Sequence, residues 1–408
     1  MVRKQPKKIL VVNCGSSSIK YKVFEMESLA EVASGIVERI GDKSALLKHE
    51  TDGTATTSEV RVSDHRQGLG LILDTLIRFE PKAIDNLEEI VAVGHRVVHG
   101  GDEFFDSTLV DERVLEKLKE WARLAPLHNP PNIAGIEAAR ALLPGVPQVA
   151  VFDTAFHQTM EEVAYLYPIP YELYERFKIR RYGFHGTSHK YVTRRAAEAL
   201  GMPLEGLKIV TCHLGNGCSV TAVKDGKSVD TSMGFTPLEG LVMGTRSGDI
   251  DPSIIFYLIE EGGFSAKDVE EMLNRKSGLL GISGISNDVR DLEREASAGN
   301  RRARLALEVF AYRAKKYVGA YAAALGGLDV LVFTGGIGEN DPVVRQMICD
   351  GMEFLGLKLN EMVNEATRGD LRIISDERYP VKVLVVPTDE ELAIAEETRR
   401  TIYEAVDR

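Results

Sequence analysis

Short apolar runs alternate along this chain with longer segments whose apolar residues recur at helical spacing. The strand-like runs are KILVV, KYKVF, EIVAVGHRVV, PQVAVF, KIVTCHL, CSVTAV, DVLVFTG and VKVLVVP. The helical segments include LEKLKEWARLA, RRARLALEVFAYRAKKYVGAYAAAL and PTDEELAIAEETRRTIYEAV. The last of these carries the pattern of a capping box from Thr388 to Glu391. Strands and helices mixed in this rhythm predict an α/β fold.

The first strand runs into a glycine-serine turn and then into a second strand, VVNCGSSSIKYKVF. After the turn, Ile19, Tyr21 and Val23 alternate with Lys20 and Lys22, which is the period of a half-buried strand. The pattern therefore predicts a β-hairpin with a polar tip. Small residues bring backbone N–H groups close to an anion, but Gly and Ser also favour ordinary tight turns. Both interpretations of the tip stay open at this point.

Two further segments combine strands with glycine. LKIVTCHLGNGCSVTAVKDG repeats the order strand, small polar tip, serine and strand, with Gly215 two hundred residues after Gly15. This echo suggests a duplicated domain that faces its copy across a cleft. DVLVFTGGIGEND predicts a strand, a glycine loop and a helix that begins at Asp341-Pro342. Such a loop can bind a nucleotide, although this one lacks the third glycine of a dinucleotide fingerprint.

Length and charge narrow the class of protein. The chain has 408 residues, which favours two domains, and we place the crossing near VFDTAFHQ, around residue 155. A net charge of -11 argues against a nucleic-acid binder.

The four cysteines form no CxxC pair, which favours a reduced compartment. No signal peptide or membrane-spanning run is visible, so we expect a cytoplasmic protein with no membrane partner.

Two arginines stand where a solvated surface charge fits poorly. Arg96 lies in GHRVVHGG and Arg246 in LVMGTRSGDID, each beside small residues. The guanidinium fork matches phosphate and carboxylate oxygens, and a structural ion pair is an equal alternative. Asp153 follows an apolar strand, where it either serves a site or caps a short helix. Glu390 either favours the positive end of the last helix or reaches a magnesium ion.

Two histidine pairs invite a metal-site interpretation. His95 and His99, like His185 and His189, are four residues apart, as zinc ligands on a helix can be. Neither pair carries HExxH, and HRVVH is β-branched, which favours a strand. His185, on a turn after an aromatic residue, is instead well placed to donate a hydrogen bond to an anion.

Taken together, the motifs resemble those of the acetokinase family, the acetate kinases of the superfamily that also includes sugar kinases, heat-shock chaperones and actin. The motifs, in family order, are NCGSSSIK, GHRVVHGG, APLHNPPN, VFDTAFH, RYGFHGTSH, HLGNG, GFTPLEGLVMGTRSGDIDP and FTGGIGEN. The resemblance implies two ribonuclease-H-like domains around a central cleft, residues 1–154 with 388–408 and residues 155–387. It also implies a homodimer. The implied reaction is a direct, reversible phosphoryl transfer from ATP to acetate, giving acetyl phosphate and ADP, with Mg²⁺ as cofactor and Mn²⁺ able to substitute.

By position, the resemblance implies a role for a set of site residues. The implied catalytic residues are Arg96, Asp153, His185 and Arg246. Arg96, Val98, Leu127 and Pro237 are implied to bind the substrate, the last three as an apolar pocket for its methyl group. Asn13 and Glu390 are the implied metal ligands. The implied ATP-binding residues are Lys20, His213, Leu214, Gly215, Asn216, Gly217, Asp288, Val289, Arg290, Gly336, Ile337, Gly338, Glu339 and Asn340.

Three alternatives remain beside this interpretation. A propionate or butyrate kinase differs only in pocket size, and one methylene is worth only about 1–3 kcal/mol. A nucleotide switch shares the fold, although two arginines at a carboxylate-sized pocket favour a kinase. A zinc hydrolase is the third. We expect bulky thiol reagents to inactivate the protein through Cys14, inside the first hairpin, and MgATP to protect it; such reactivity requires exposure and thiolate character.

Overall fold

The computed structural model describes residues 6–126, 128–366 and 369–406. Within it the chain divides into two compact units. The first unit extends to Phe156 and resumes at Asp389, and the second unit is His157–Thr388. The domain boundaries expected from the sequence stay a prediction.

The first unit is built on one sheet. Its strands are β1 (Lys8–Cys14), β2 (Ser18–Glu25), β3 (Glu31–Glu38), β4 (Ala45–Thr51), β5 (Thr54–Val60), β6 (Ile90–Val97), β7 (Thr108–Leu109) and β8 (Gln148–Phe152). Its first helices are α1 (His65–Arg78), α2 (Glu112–Trp121) and α3 (Asn129–Leu142), with 3₁₀ turns at Leu87–Glu89 and Ala122–Leu124; a further 3₁₀ turn, Ala155–Thr159, spans the boundary to the second unit. The described strands lie in the order β5-β4-β3-β2-β1-β6-β8-β7, and the central strands β1, β6 and β8 are almost entirely buried.

The second unit carries most of the helices. They are α4 (Glu162–Tyr165), α5 (Tyr171–Phe177), α6 (Gly186–Leu200), α7 (Ser253–Glu260), α8 (Ala266–Arg275), α9 (Gly278–Ser283), α10 (Val289–Ser297), α11 (Arg301–Leu325), α12 (Gly335–Asn340), α13 (Pro342–Cys349) and α14 (Glu361–Ala366), with a 3₁₀ turn at Glu353–Leu355. Its strands are β9 (Lys208–Leu214), β10 (Cys218–Lys224), β11 (Lys227–Thr231), β12 (Val330–Thr334), β13 (Arg372–Ile373) and β14 (Lys382–Val385). They lie in the order β11-β10-β9-β12-β14-β13.

The two sheets share a core arrangement of five strands. In the first unit β3, β2 and β1 are antiparallel neighbours, and β6 and β8 continue the sheet parallel to β1. In the second unit β11, β10 and β9 are antiparallel neighbours, and β12 and β14 continue parallel to β9. The first predicted hairpin is therefore confirmed as β1–β2, and the echo detected in the sequence corresponds to β9–β10.

The last helix, α15 (Glu390–Val406), belongs to the first unit and covers one face of its sheet. Ile9 and Val11 of β1 pack with Ile394 on this face. On the other face Leu10 and Val12 pack with α1 and α3 side chains such as Ile72. The period of two in β1 thus buries both faces of the sheet. Gly94 permits the close approach, because a Cβ there would collide with Thr398 and Ile394 of α15.

Local structure differs from the sequence-based expectation at two places. The stretch GGIGEN is not a loop: it forms α12 directly after β12, and Asp341 then caps α13 by accepting a hydrogen bond from the Val344 N–H at 2.9 Å. The expected capping box at Thr388 is also wrong. Asp389 caps α15, since its carboxylate accepts from the Leu392 N–H at 3.0 Å.

Among the residues that the structure describes, no helix is both long enough and apolar enough to cross a membrane.

Candidate active site

The tip of the β1–β2 hairpin sets Asn13 opposite Lys20 at the carboxyl end of β1. The Gly15 N–H donates to the Ser18 carbonyl at 2.8 Å and closes the turn. His65, at the start of α1, donates from Nε2 to the Gly15 carbonyl at 2.7 Å. The turn is therefore held from inside and from a neighbouring helix. Asn13 is half-buried, and Lys20 is exposed.

Arg96 and Asp153 form a bidentate ion pair beside this hairpin. Arg96 Nε donates to one carboxylate oxygen of Asp153 at 3.0 Å, and Nη2 donates to the other at 2.7 Å. The two residues meet because β6 and β8 are parallel neighbours and both end at this edge of the sheet. Glu390 lies 3.8 Å from Arg96 Nη1. A guanidinium thus lies between two carboxylates.

Burial and charge act against each other in this ion pair. Burial lowers the pKa of Arg96, but the carboxylates of Asp153 and Glu390 outweigh burial and raise it, so Arg96 stays a cation. Burial raises the pKa of Asp153, and the guanidinium of Arg96 opposes the rise. The side chain of Asp153 is only 2% exposed. Its negative charge therefore depends on Arg96.

Acidic residues at the start of α15 form ion pairs with the basic side chains of β2. Lys20 Nζ lies 2.9 Å from a Glu391 carboxylate oxygen, and Lys22 Nζ lies 3.2 Å from Asp389. Together with the Arg96–Glu390 contact, these pairs tie three consecutive acids to the sheet. The first turn of α15 is thus held in a fixed position, with Glu390 beside Arg96.

A buried asparagine links the strands that carry the predicted residues. Asn132 donates from Nδ2 to the Cys14 carbonyl at 2.7 Å, and its Oδ1 accepts from the Val98 N–H at 3.1 Å. Through these two hydrogen bonds it links the end of β1 to the end of β6. Sequence reasoning gave Asn132 no role, although it lies in the APLHNPPN motif. Val98 is half-buried, and Leu127 lies outside the described residues.

In the second unit the β9–β10 hairpin has a smaller tip. The Gly215 N–H donates to the Gly217 carbonyl at 3.1 Å, and Leu214 is buried beneath the tip. The Asn216 backbone carbonyl accepts from the Gly244 N–H at 3.0 Å, and its side chain accepts from Asn287 at 3.0 Å. The tip is therefore bound to two neighbouring loops through Asn216.

His185, His213, Arg246 and Pro237 lie around this second hairpin. The rings of His185 and His213 stack with centroids 4.3 Å apart. A Cβ placed on Gly217 would lie 3.4 Å from His185 Nε2 and 3.5 Å from Arg246 Nη1, so both nitrogens approach the same glycine. Arg246 Nη1 also donates to the Pro237 carbonyl at 3.4 Å.

Arg246 differs from Arg96 in its electrostatic setting. No carboxylate pairs with Arg246 among the described residues, and burial lowers its pKa, an effect that the Cys218 thiol only partly opposes. An anionic ligand would supply the missing negative charge. The second unit thus presents a cation without an ion pair, where the first unit presents one that is already paired.

The remaining predicted ATP-binding residues lie on α10 and α12. Asp288 caps α10 and pairs with Arg290, whose Nη2 donates to it at 2.6 Å, while Val289 points into the core. In α12, Gly336 and Asn340 are exposed, Ile337 is half-buried and Gly338 is buried. Gly335 must be glycine, because its φ is +76° and a Cβ would lie 2.7 Å from the Leu214 carbonyl. Glu339 turns inward, where it accepts from the N–H groups of Gly335 at 2.9 Å and Thr388 at 3.0 Å.

The comparisons with known proteins decide the family. The profile of the acetokinase family matches residues 8–396. The chain is 58% identical over 397 residues to the acetate kinase of Caldanaerobacter subterraneus subsp. tengcongensis, a match that spans 97% of this chain and 99% of the relative. The chain belongs to the acetokinase family.

Solved structures of the family agree with the fold. The acetate kinase of Porphyromonas gingivalis is 49% identical with a TM-score of 0.93, and the match covers 97% of this chain and all of that one. A propionate kinase of Francisella tularensis is 44% identical with a TM-score of 0.90, covering 97% and 99% of the two chains. The resemblance to the acetokinase family is therefore confirmed, as is the mixed α/β fold of the actin-like superfamily. Family members are kinases that use ATP with a divalent metal.

The donor set of the first unit fits the hard divalent cation that such kinases use. Asn13 offers an amide oxygen, and Glu390 offers a carboxylate that is 17% exposed. Mg²⁺ takes few protein oxygens and keeps several waters, so these two groups suit it. A thiol is not part of the set, because Cys14 is buried.

The structure gives the histidines other partners than zinc. No group of three or more His, Cys, Asp or Glu side chains is arranged to hold a metal within the described part of the chain. His95 is buried against Gln148, with its pKa lowered to about 4 by burial, an effect that the hydrogen bond to Gln148 opposes. Both ring nitrogens of His189 contact hydroxyl groups.

Cys14 also departs from its expectation. Reaction with bulky thiol reagents needs an exposed thiol with thiolate character, but Cys14 is only 4% exposed. Burial raises the pKa of its thiol to about 12. Rapid inactivation through Cys14 is therefore no longer expected.

Proposed function

We propose that this chain is an acetate kinase, which transfers the terminal phosphoryl group of ATP to acetate and reverses the reaction from acetyl phosphate and ADP. The observation that carries the proposal is its 58% identity, over nearly the full length, to a relative named acetate kinase. Within each unit, the contacts of the described site residues support this chemistry. Propionate and butyrate are the competing acceptors.

The acceptor needs no proton removed, which defines what the protein must supply. A carboxyl group titrates near pH 4 and is ionised at neutral pH. A carboxylate oxygen of acetate attacks the γ-phosphorus in line, the bond from phosphorus to the bridging oxygen breaks, and ADP leaves with that electron pair. Such transfer depends on positioning and on positive charge near the equatorial oxygens. No phosphoenzyme is needed.

Arg96, His185 and Arg246 are proposed to supply this charge and orientation. Arg96 is fixed by its bidentate bond to Asp153, so Asp153 acts through Arg96 as an orienting group. Arg246, without a carboxylate partner among the described residues, is suited to take its counter-charge from the transferring group. His185 Nε2 approaches the same glycine, Gly217, as Arg246 Nη1, and it is proposed to donate to the same group.

The metal and the nucleotide are assigned to different sets of residues. We propose that Asn13 and Glu390 hold Mg²⁺, which Mn²⁺ can replace and which neutralises phosphate charge when bound. Lys20, His213–Gly217, Asp288–Arg290 and 336–340 are proposed to bind ATP. The inward carboxylate of Glu339 indicates that this residue shapes α12 and does not contact phosphate with its side chain.

Acceptor choice is tested by trapping the product. Purified protein, MgATP and hydroxylamine, with acetate, propionate or butyrate in turn, should give most hydroxamate from acetate. Val98, Leu127 and Pro237 are proposed to form the methyl pocket, and one methylene changes the rate about 10- to 200-fold. A higher kcat/KM for propionate than for acetate would overturn the choice of acceptor. An absence of hydroxamate with all three acids would overturn the kinase activity itself.

We further propose a homodimer formed through α7. Its eight residues, SIIFYLIE, are almost all apolar, yet none is buried. Phe256 and Tyr257 are more than 60% exposed, and such a patch marks an interaction surface. Phe256→Glu should lower the mass in light scattering to that of one chain. Phe354→Glu, at a residue 80% exposed elsewhere, should leave it unchanged.

A cytoplasmic location completes the proposal. The four cysteines are all free and buried, as suits a reducing compartment.

A further inference from the structure

A chain of hydrogen bonds runs from His185 into the core of the second unit. His185 Nδ1 lies 2.9 Å from Ser219 Oγ, and the same oxygen lies 2.7 Å from His189 Nε2. The other nitrogen of His189, Nδ1, lies 2.7 Å from Thr211 Oγ1. Ser219, His189 and Thr211 are each fully buried. We call these three residues the relay.

Proton counting restricts the direction of these bonds. A hydroxyl carries one hydrogen, and a neutral imidazole donates from one nitrogen and accepts at the other. If Thr211 donates to His189 Nδ1, then His189 Nε2–H donates to Ser219 and the Ser219 hydroxyl donates to His185 Nδ1. In the reverse direction Thr211 must accept, and its own hydrogen then needs another acceptor.

Thr211 makes no other side-chain hydrogen bond among the described residues, so the reverse direction leaves its buried hydroxyl hydrogen without an acceptor. An unpaired buried donor costs about 1–3 kcal/mol. The forward direction satisfies every hydrogen in the relay. Burial also lowers the pKa of His189 well below its usual range, with His157 and His213 adding to the effect, so that its ring stays neutral.

We propose that the relay fixes His185 as the tautomer with hydrogen on Nε2, because the Ser219 hydroxyl donates to its Nδ1. Nε2 is the nitrogen on the side of Gly217 and Arg246, so His185 presents an N–H to an anion there. Ser219, His189 and Thr211 are positioning residues that act through His185. The inference rests on the proposed function only for the identity of that anion, a transferring phosphoryl group.

The backbone conformation of His185 is unusual, and side-chain contacts hold its ring in place. His185 has a φ of +57°, in the left-handed region, at the N-cap of α6. A non-glycine residue is uncommon there. The ring is stacked on His213 and bonded to Ser219, and these two contacts hold it toward Gly217. Arg246 and His213 are titratable groups near the ring, and His189 follows behind Ser219.

Nuclear magnetic resonance of ring-labelled histidine tests the tautomer without any substrate. Two-bond correlations from ring carbon-bound hydrogens distinguish the Nε2–H form from the Nδ1–H form, and the His185→Gln spectrum assigns the signal. We expect His185 in the wild-type protein, at a pH where its ring is neutral, to be the Nε2–H form. A dominant Nδ1–H form would overturn the proposal.

A matched pair of threonines separates the relay from general loss of a buried hydroxyl. Thr221 is paired with Thr211 across β9 and β10, is equally buried, and bonds to Thr231 at 2.8 Å outside the relay. Thr211→Val should allow both tautomers at His185, whereas Thr221→Val should keep the wild-type form. Identical spectra for the two variants would overturn the proposal.

The kinetics give a second readout. Ser219→Ala should lower kcat about three- to tenfold, with KM for ATP and acetate changed less than about twofold, and Thr221→Val should keep the wild-type kcat. A Ser219→Ala enzyme with wild-type kcat would remove the relay from catalysis. Failure of the proposed function is distinguishable, because it would leave no activity with acetate while the resonance result stands.

Discussion

The two hairpins of this protein occupy the same place in the same strand order, yet they present different chemistry. In β1–β2 the paired residues near the tip are Asn13 and Lys20, and Lys20 is bound to Glu391 of α15. In β9–β10 the tip is Gly215–Gly217, beside His185 and Arg246. The first hairpin is surrounded by ion pairs, whereas the second leaves Arg246 without one in the described chain.

This difference shows how a duplicated scaffold can divide one reaction. In each sheet the hairpin tip lies at the carboxyl end of its first strand, β1 or β9. The side chains around the tip determine what it can bind. Amide and carboxylate oxygens suit a hard metal cation, and ion pairs hold a cationic side chain in place. Small residues with accessible backbone N–H groups suit phosphates. We propose that the first hairpin holds the metal, with only Lys20 directed to the phosphates, and that the second hairpin carries most of the nucleotide binding.

The largest effect is expected from removing the two arginines. Arg96→Ala and Arg246→Ala should each lower kcat/KM about a thousandfold or more, because an arginine on a transferring phosphoryl group is worth that much. Their stabilities should differ. Arg96→Ala leaves Asp153 buried without this partner, at a cost of about 3–5 kcal/mol, whereas Arg246→Ala breaks no ion pair with any residue that the structure describes. Kinetics and thermal unfolding measure both.

A double variant is the control for this contrast. Arg96→Ala with Asp153→Asn removes the buried charge and should recover most of the lost stability without recovering activity. Equal melting temperatures for the two single variants would contradict the difference between the two arginines, in which Arg96 has an ion-pair partner and Arg246 has none among the described residues. Near wild-type turnover in either would remove that arginine from catalysis.

Asp153→Asn alone should have the next largest effect. If Asp153 only orients Arg96, the variant loses about ten- to a hundredfold in kcat through misplacement. The factor should stay nearly constant between about pH 6 and pH 8, since no proton is transferred. Rescue by a small external base, or loss of one limb of the pH-rate profile, would show that Asp153 is a general base.

The metal assignment is tested by Asn13→Ala and Glu390→Gln. Each should raise the Mg²⁺ concentration needed for half-maximal rate about tenfold, with a smaller change in KM for acetate. Titration of Mg²⁺ and of acetate at fixed ATP separates the two effects. An unchanged Mg²⁺ dependence in both variants would contradict the assignment.

Glycine-to-alanine changes compare the two tips directly. A Cβ on Gly217 would stand 3.4 Å from His185 Nε2 and 3.5 Å from Arg246 Nη1, and one on Gly15 would meet the movable Ser18 hydroxyl at 3.0 Å. We expect Gly217→Ala to lower kcat about three- to tenfold by displacing His185 or Arg246, and Gly15→Ala to change it less than about twofold. A larger loss in Gly15→Ala would reverse the comparison.

The smallest expected effect is a dependence of stability on pH in the second unit. Burial raises the pKa of Glu293 to about 7, and the neighbouring Asp341 adds to the rise. As pH increases toward 7, the unfolded chain releases this proton before the folded one, so stability decreases. Glu293→Gln should flatten the decrease of the melting temperature in this range. An unaltered slope would mean that Glu293 titrates normally.

The sequence predicted the strands that carry the site, because these are apolar runs with clear endings. It missed β3, β4 and β5 of the first sheet, and also the short strands β7, β11 and β13. β5 in particular, TATTSEV, has no buried residue, so its pattern lacks the apolar signal of a strand. The motif order identified the family, which single motifs did not, since strand–turn–strand units are common.

Contacts between distant segments were beyond prediction. The role of Asn132 depends on the carbonyl of Cys14, more than a hundred positions earlier, and no local pattern marks it. The same holds for Glu339, whose carboxylate reaches the Thr388 N–H. GGIGEN was expected to be a loop because glycine is a poor helix former, but its first glycine alone needs a positive φ and the rest continue as α12.

The division between the hairpins is tested most directly by metal-free binding of ADP, measured by calorimetry in the presence of a chelator. Asn216→Ala removes the side-chain hydrogen bond that holds the second tip to Asn287 and should weaken this binding about tenfold. Asn13→Ala should leave it within about twofold of the wild type. If Asn13→Ala weakens metal-free ADP binding as much as Asn216→Ala does, the proposed division is wrong.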